Sequence, residues 1–192
     1  MAKKFDKVVI NALNELLQFK PLDKLSATDI TYSAGLTKQA FYYYAKSLPD
    51  YLCMMTDNKV KDIIRPCRNS VNEVFSLMRQ ILLYFRENKT IFTAMMQSKQ
   101  RAFYLEHLYK SVYNGIHNLV KQHIRKLLKE SREEISEPLA RYISDSVFGV
   151  LYHDLQSGMT TDVDDIMRNY KLFYGEAYSI TLEKYLREAA KK

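Results

Sequence analysis

Apolar residues recur along this chain at intervals of three and four, and no convincing run alternates at the two-residue interval of a half-buried strand. Phe5, Val9, Ala12, Leu13 and Leu16 fall on one face and predict an amphipathic helix over 5–18. Pro21 in "FKPLDKL" ends it. "SATD" at 26–29 is a capping box: Ser26 can cap and Asp29 can reach back, which predicts a short helix through Ser33. "AGLT" is a turn in which Gly35 supplies positive φ, and Thr37 can cap a second short helix, "KQAFYYYA". "SLPD" opens a longer helix that runs to about Ile64 and stops near Pro66. Further helices are predicted at 70–87, 89–97, 100–130, 136–156 and 162–189, with "SGMTTDVDD" as a loop and helix start. Gly149 and Gly175 sit inside helical pattern and suggest close helix approach or a kink. The fold class is all-α.

Two short helices joined by a glycine-bearing turn form a helix-turn-helix. In that motif the second helix lies in the major groove and its first residues reach base edges. The generic motif arises by chance, so the full segment must carry the assignment. "DITYSAGLTKQAFYYYAKSLPDYL" is similar to the DNA-binding segment of the TetR family of bacterial transcriptional regulators. Ile30, Ala34, Gly35, Leu36, Thr37, Phe41, Tyr42, Tyr44, Ser47 and Leu52 fall where the family pattern places them. The match covers about residues 5–55. Three positions depart from the pattern: Thr31 replaces an alanine, Ala45 an aromatic, and Leu48-Pro49 a Lys-Glu pair whose lysine often contacts a phosphate. Lys46 either replaces that contact or is a solvated charge.

The resemblance implies an N-terminal three-helix DNA-binding domain, residues 1–50, and a helical effector-binding and dimerisation domain, residues 51–192. Thr37, Lys38 and Gln39 would open the recognition helix, where lysine can donate to guanine and glutamine can pair with adenine. Tyr42 and Tyr43 either bond phosphate and pack on sugar or simply pack. Ser26 and Thr28 would donate to the DNA backbone, and Lys3 and Lys4 would reach phosphate from a flexible N-terminal end. Phe41 reads as core, and Tyr44 as packing. The expected partners are double-stranded DNA carrying a palindromic operator, a second copy of the chain, and a small-molecule or protein effector. The expected action is repression.

Charge modifies this picture only slightly. The net charge of +7 favours polyanionic partners, but basic residues outnumber acidic ones by only seven to five over 1–50, against fifteen to six over 51–132 and seven to eleven over 133–192. Charge alone does not point to the N-terminus. No apolar run approaches the length needed to cross a bilayer, and Asp6, Asn11 and Asn14 interrupt any signal-peptide core, so a cytoplasmic protein with no membrane partner is expected. Cys53 and Cys67 are too few for a disulfide framework and read as ordinary thiols.

Residues 70–130 are rich in aromatic and methionine side chains, most of which would fill a core. A pocket for an apolar or aromatic effector is expected near Phe92, Met96, Phe103 and Tyr152. Leu139, Tyr142, Ile143, Val147, Val150 and Leu151, with Val163, Ile166, Tyr170, Phe173, Ala177 and Tyr178, line the two last helices, which the resemblance makes the dimer interface. "VFGVLYHDLQSGMTTDVDDIM" is loosely similar to the dihydroxyacetone-kinase-regulator-like branch of the family, whose members can answer to partner proteins.

Catalytic chemistry is absent from the pattern. His107, His117, His123 and His153 lack metal-site spacing, and there is no Cys-x-x-Cys, phosphate loop or nucleophile elbow, so no metal, cofactor or catalytic residue is assigned and the chain is not read as an enzyme. Two rivals remain: a helical interaction protein that has lost DNA binding, hinted at by Ala45 and Leu48, and an all-α enzyme using the tyrosine-rich bundle as a substrate pocket.

Overall fold

The computed structural model describes residues 2–66 and 73–189; side chains are described from residue 5 onward and, beyond residue 172, at 175, 184, 185 and 187. Cys67 and the start of the helix expected from residue 70 lie outside the described residues, as do the side chains of Lys3, Lys4, Phe173, Ala177 and Tyr178. The described residues form helices α1 (Ala2–Leu16), α2 (Ala27–Ser33), α3 (Lys38–Tyr44), α4 (Leu48–Ile64), α5 (Val74–Glu87), α6 (Lys89–Gln97), α7 (Arg101–Leu128), α8 (Glu133–Gln156) and α9 (Val163–Ala189), with no strand among them. A single 3-10 turn, Leu22–Lys24, sits between α1 and α2 and was not visible in the apolar pattern.

The chain divides into two compact units. The first comprises Met1–Lys59 and Asn88–Leu108. Its centre is built from Val9 and Leu13 of α1, Ile30 of α2, Phe41 of α3, and Tyr51 and Leu52 of α4, all fully buried. Each such side chain contributes about 1.5–3 kcal/mol through removal from water. Phe5 stacks on Tyr44 at 4.2 Å and meets Tyr51 edge-on. Tyr51 keeps its ring in the core and donates its hydroxyl to Asp6 Oδ1 at 3.0 Å. α1 begins at Ala2, so Lys3 and Lys4 belong to a helix, where a flexible end was expected.

The second unit comprises Val60–Glu87 and Tyr109–Lys192. α5 packs against both α8 and α9. Leu77, Met78, Ile81, Leu82 and Phe85 of α5, Ile116 of α7, and Val147 and Leu151 of α8 are fully buried. α8 starts at Glu133, three residues before its apolar repeat suggests, because Glu133 and Glu134 complement the positive end of the helix dipole. The close approach expected at a helical glycine occurs at Gly115, which the pattern did not single out. A Cβ there would overlap Ile64 Cδ1, whereas one at Gly149 or Gly175 would meet nothing within 4 Å.

One buried ion pair fastens this unit. The Asp154 side chain is 1% exposed and forms a two-pronged bond with Arg86, Nη1 to Oδ2 at 2.5 Å and Nη2 to Oδ1 at 2.7 Å. Arg86 Nη2 also donates to the Thr161 carbonyl at 2.6 Å, so α5 holds both the end of α8 and the loop into α9. Removing one partner leaves a buried charge uncompensated, which costs far more than replacing both by apolar groups. Asp154→Ala is therefore expected to lower unfolding free energy by about 3–5 kcal/mol, and the double variant Arg86→Met/Asp154→Leu by clearly less, in urea unfolding monitored by circular dichroism.

Candidate nucleic-acid interface

α2 and α3 are seven residues each, below the length at which a helix persists by itself in water. Their ends are tied down by side chains. Ser26 Oγ accepts from Asp29 N at 3.2 Å while Asp29 Oδ2 accepts from Ser26 N at 2.8 Å, completing the capping box. Thr37 Oγ1 accepts from Ala40 N at 3.1 Å. Gly35 takes φ +61° between them, the conformation the turn requires and side-chain-bearing residues avoid. Ser47 Oγ accepts from Asp50 N and starts α4 in the same manner.

With Phe41 buried, α3 turns Lys38, Gln39, Tyr42 and Tyr43 outward, at i, i+1, i+4 and i+5, so the four form one exposed stripe. Tyr43 is 84% exposed and Tyr42 54%. Their rings are steadied from below: Tyr42 sits edge-on to Phe41 at 5.8 Å and Tyr43 edge-on to Tyr44 at 5.2 Å. Lys46, just past the helix end, is also exposed. Thr37 uses only its oxygen lone pair for capping, which leaves the hydroxyl hydrogen available to an external acceptor. Ser26 differs, since its hydroxyl donates to Asp29 Oδ2 at 2.6 Å and would have to turn away to reach a phosphate. Thr28 is exposed on α2. Tyr32, on the same helix, is 91% exposed and escaped the sequence reading because nothing in its spacing marks it.

Ala45 and Leu48, which depart from the family pattern, are buried at 8% and 5%. Their change adjusts packing beneath the end of α3. Truncating Phe41 would cost about 3–5 kcal/mol, a large share of a typical domain's stability, so binding tests must use the exposed stripe.

The stripe can donate hydrogen bonds from an ammonium, an amide and two phenols, and can cover flat apolar surface with two rings. That combination suits phosphate and base edges together. The expected effector residues are less coherent. Phe92 is buried on α6, and Met96 and Phe103 are half-buried, with Phe103 against His107 at 4.2 Å; all three belong to the first unit. Tyr152 is half-buried on α8 in the second unit, stacked on Phe148. The second unit carries its own groove of about 800 Å³ between α8 and α9, lined by Ser146, Gly149, Val150, His153, Ile166 and Asn169 among others. Among the described residues there is no cluster of His, Cys, Asp or Glu able to hold a metal, and no helix long and apolar enough to cross a membrane. Burial, with Asp57 and Asp50 nearby, pushes the Cys53 thiol up to about 12, which leaves it unreactive.

Asp29 sits under the start of α2 and joins the cap to Lys20, whose Nζ lies 3.1 Å from both carboxylate oxygens. The hydrogen bonds from Ser26, followed by that from Lys20, lower its pKa from 3.8 to about 2. A carboxylate depressed in the folded state adds stability that is complete above the unfolded value and disappears as pH falls through the folded one. Asp29→Asn is therefore expected to melt below wild type at pH 7, with the difference shrinking between pH 4 and 2; thermal melts across that range decide it.

The chain's sequence matches the family described as "Transcriptional regulator C-terminal region", of the TetR type, over residues 72–175. No curated protein matches it. Among solved structures it is similar to "Dihydroxyacetone kinase operon activator DhaS", with a TM-score of 0.63 and 16% identity over 91% of this chain and 96% of that one. It is also similar to a TetR transcriptional regulator from Rhodococcus sp. RHA1, with a TM-score of 0.54 and 15% identity over 89% and 94% of the two chains. At such identities the structural likeness establishes the fold.

Proposed function

The chain belongs to the TetR family of transcriptional regulators, and we propose that it is a sequence-specific DNA-binding repressor that acts as a homodimer under the control of an effector. The observation that carries this reading is the exposed stripe of Lys38, Gln39, Tyr42 and Tyr43 on a helix held by the Thr37 cap. Lys38 and Gln39 read base edges, Thr37 and the tyrosines engage the backbone, and Lys46, Thr28, Lys3 and Lys4 add phosphate contacts. Ser26 joins them if it exchanges Asp29 for phosphate. The region 1–50 is the reading domain, and 51–192 carries the effector and dimer functions. Repression is the simplest outcome, because occupied promoter DNA excludes polymerase without any further contact. Activation, the role for which the solved neighbour is named, would need an added surface. A target on bacterial chromosomal DNA makes the protein cytoplasmic.

A second copy would dock on the α8–α9 face. Ile143, Val147 and Leu151, expected in the interface, are 2% exposed or less and serve the unit's own core. The outward surface is instead Tyr142 at 76% and Leu172 at 77% exposure, with Val150 and Ile166 half-buried in the groove beside Gly149. The open space over Gly149 admits close helix approach. Gly149→Arg is expected to convert the dimer to a monomer in light scattering at micromolar concentration, with helicity retained. Phe92, Met96 and Phe103 in the first unit and, separately, Tyr152 in the second are proposed effector residues, and a screen in which no small molecule raises the melting temperature would remove them.

DNA reading is tested by selecting the purified protein against a randomised duplex pool at near-physiological salt, since a basic protein binds any DNA when salt is low. An enriched inverted repeat is expected. Lys38→Ala and Gln39→Ala should each lose about 1–3 kcal/mol of discrimination at the base pair they read. Lys46→Ala should weaken all sequences alike and flatten the salt dependence by about one charge. If both base-reading variants keep affinity and preference, the assignment of the stripe is wrong.

A further inference from the structure

The first unit is discontinuous. It unites the helix-turn-helix region with Asn88–Leu108, which holds α6 and the start of α7. α1 packs against α6, and Asp23 reaches the elbow between α6 and α7. Asp23, in the 3-10 turn, accepts from Ser98 Oγ at 2.5 Å through Oδ1 and from Lys99 N at 2.9 Å through Oδ2. Ser98 closes α6 and opens the turn into α7: its Oγ accepts from Gln100 N at 3.0 Å and its carbonyl accepts from Arg101 N at 3.1 Å. Ser98 is 8% exposed, and the buried Tyr104, one turn into α7, hydrogen-bonds to it. A carboxylate supplied from a distant turn therefore holds the elbow from which the 28-residue α7 begins.

The same turn is anchored on its other side. Leu22 and Leu25, flanking Asp23, are 5% and 9% exposed in the unit's core. Lys20 bonds to Asp29, and Ser26, three residues after Asp23, caps α2. Residues 20–29 thus form a strap whose one end is the start of the helix-turn-helix and whose middle grips the elbow. Ser98 and Lys99 lower the Asp23 pKa below its ordinary value, so the grip is ionised throughout the neutral range.

We propose that Asp23 is a positioning residue that makes the α6–α7 elbow part of the DNA-reading unit, so that displacement of the elbow is passed to α2 and α3 through the strap. The proposal rests on the DNA-reading function for its consequence, but its mechanical part can be measured without DNA. Amide hydrogen exchange of the full chain reports opening of each segment separately. In Asp23→Ala, exchange at Lys99, Gln100 and Arg101 is expected to rise on the order of tenfold, as for a lost hydrogen bond to a charged group. Exchange across Leu22–Leu25 and α2 is expected to rise with it, while α8 stays unchanged. Ser98→Ala, which keeps the Lys99 bond, should give a smaller rise in the same segments and serves if the first variant does not fold. Faster exchange confined to the elbow, or none at all, would overturn the proposal.

A second arm adds the DNA duplex recovered from the pool selection. Wild-type chain should gain protection in both α3 and the elbow, because coupling between two sites is reciprocal. Asp23→Ala should keep the gain in α3 and lose it at the elbow. Protection of α3 without the elbow in wild type refutes the coupling and leaves DNA reading intact. Absence of protection in α3 refutes DNA reading instead, and the DNA-free comparison then decides the role of Asp23 alone.

Discussion

Helices of seven residues do not hold themselves together, and the helix-turn-helix of this protein is built from two of them. Their persistence depends on hydrogen bonds at their first turns and on apolar anchors beneath. Ser26, Asp29 and Thr37 satisfy amides that a short helix would otherwise leave to water. Ile30 and Phe41, fully buried, fix the rotation of each helix about its axis. Rotation is the quantity that matters, because a helix turned by one residue would present Phe41 to solvent and withdraw Gln39. The outward stripe is thus a consequence of what lies underneath it.

Much of this was legible in the sequence. Caps are local chemistry, so Ser26, Asp29, Gly35 and Thr37 declared the helix-turn-helix from residue type and spacing alone, and helical periodicity gave the longer helices. What escaped the sequence depends on contacts between distant segments. The 3-10 turn has no period to recognise, and Asp23 looks like any loop acid until Ser98 arrives from 75 residues away. The pair Arg86 and Asp154 is separated by 68 residues and carries no motif. The apolar faces of α8 could be listed from periodicity, but which of them the unit keeps for itself could not. Ile143 and Tyr142 are neighbours in sequence with opposite fates.

The division into units has a physical reading as well. Contiguous sequence suggested a reading domain ending near residue 50, whereas the compact first unit recruits α6 and the opening of α7. A three-helix head has little interior of its own, and small domains bury too small a fraction of their surface to be robust. Ile91 and Phe92 of α6 and Leu108 of α7 enlarge that interior. In the second unit, the buried ion pair gives direction where apolar contact cannot: the forked guanidinium accepts only one alignment of α5 with the end of α8.

Gly115 carries a consequence for packing. Ile64 Cδ1 occupies the place where a side chain at 115 would begin, so the end of α4 is seated in the surface of α7. The space is shared by two positions, and neither can be changed as if the other were absent. A methyl group gained at 115 requires the flexible end of the Ile64 side chain to move aside. The end of α4 and the face of α7 therefore meet more closely here than two full side chains would allow without one turning aside.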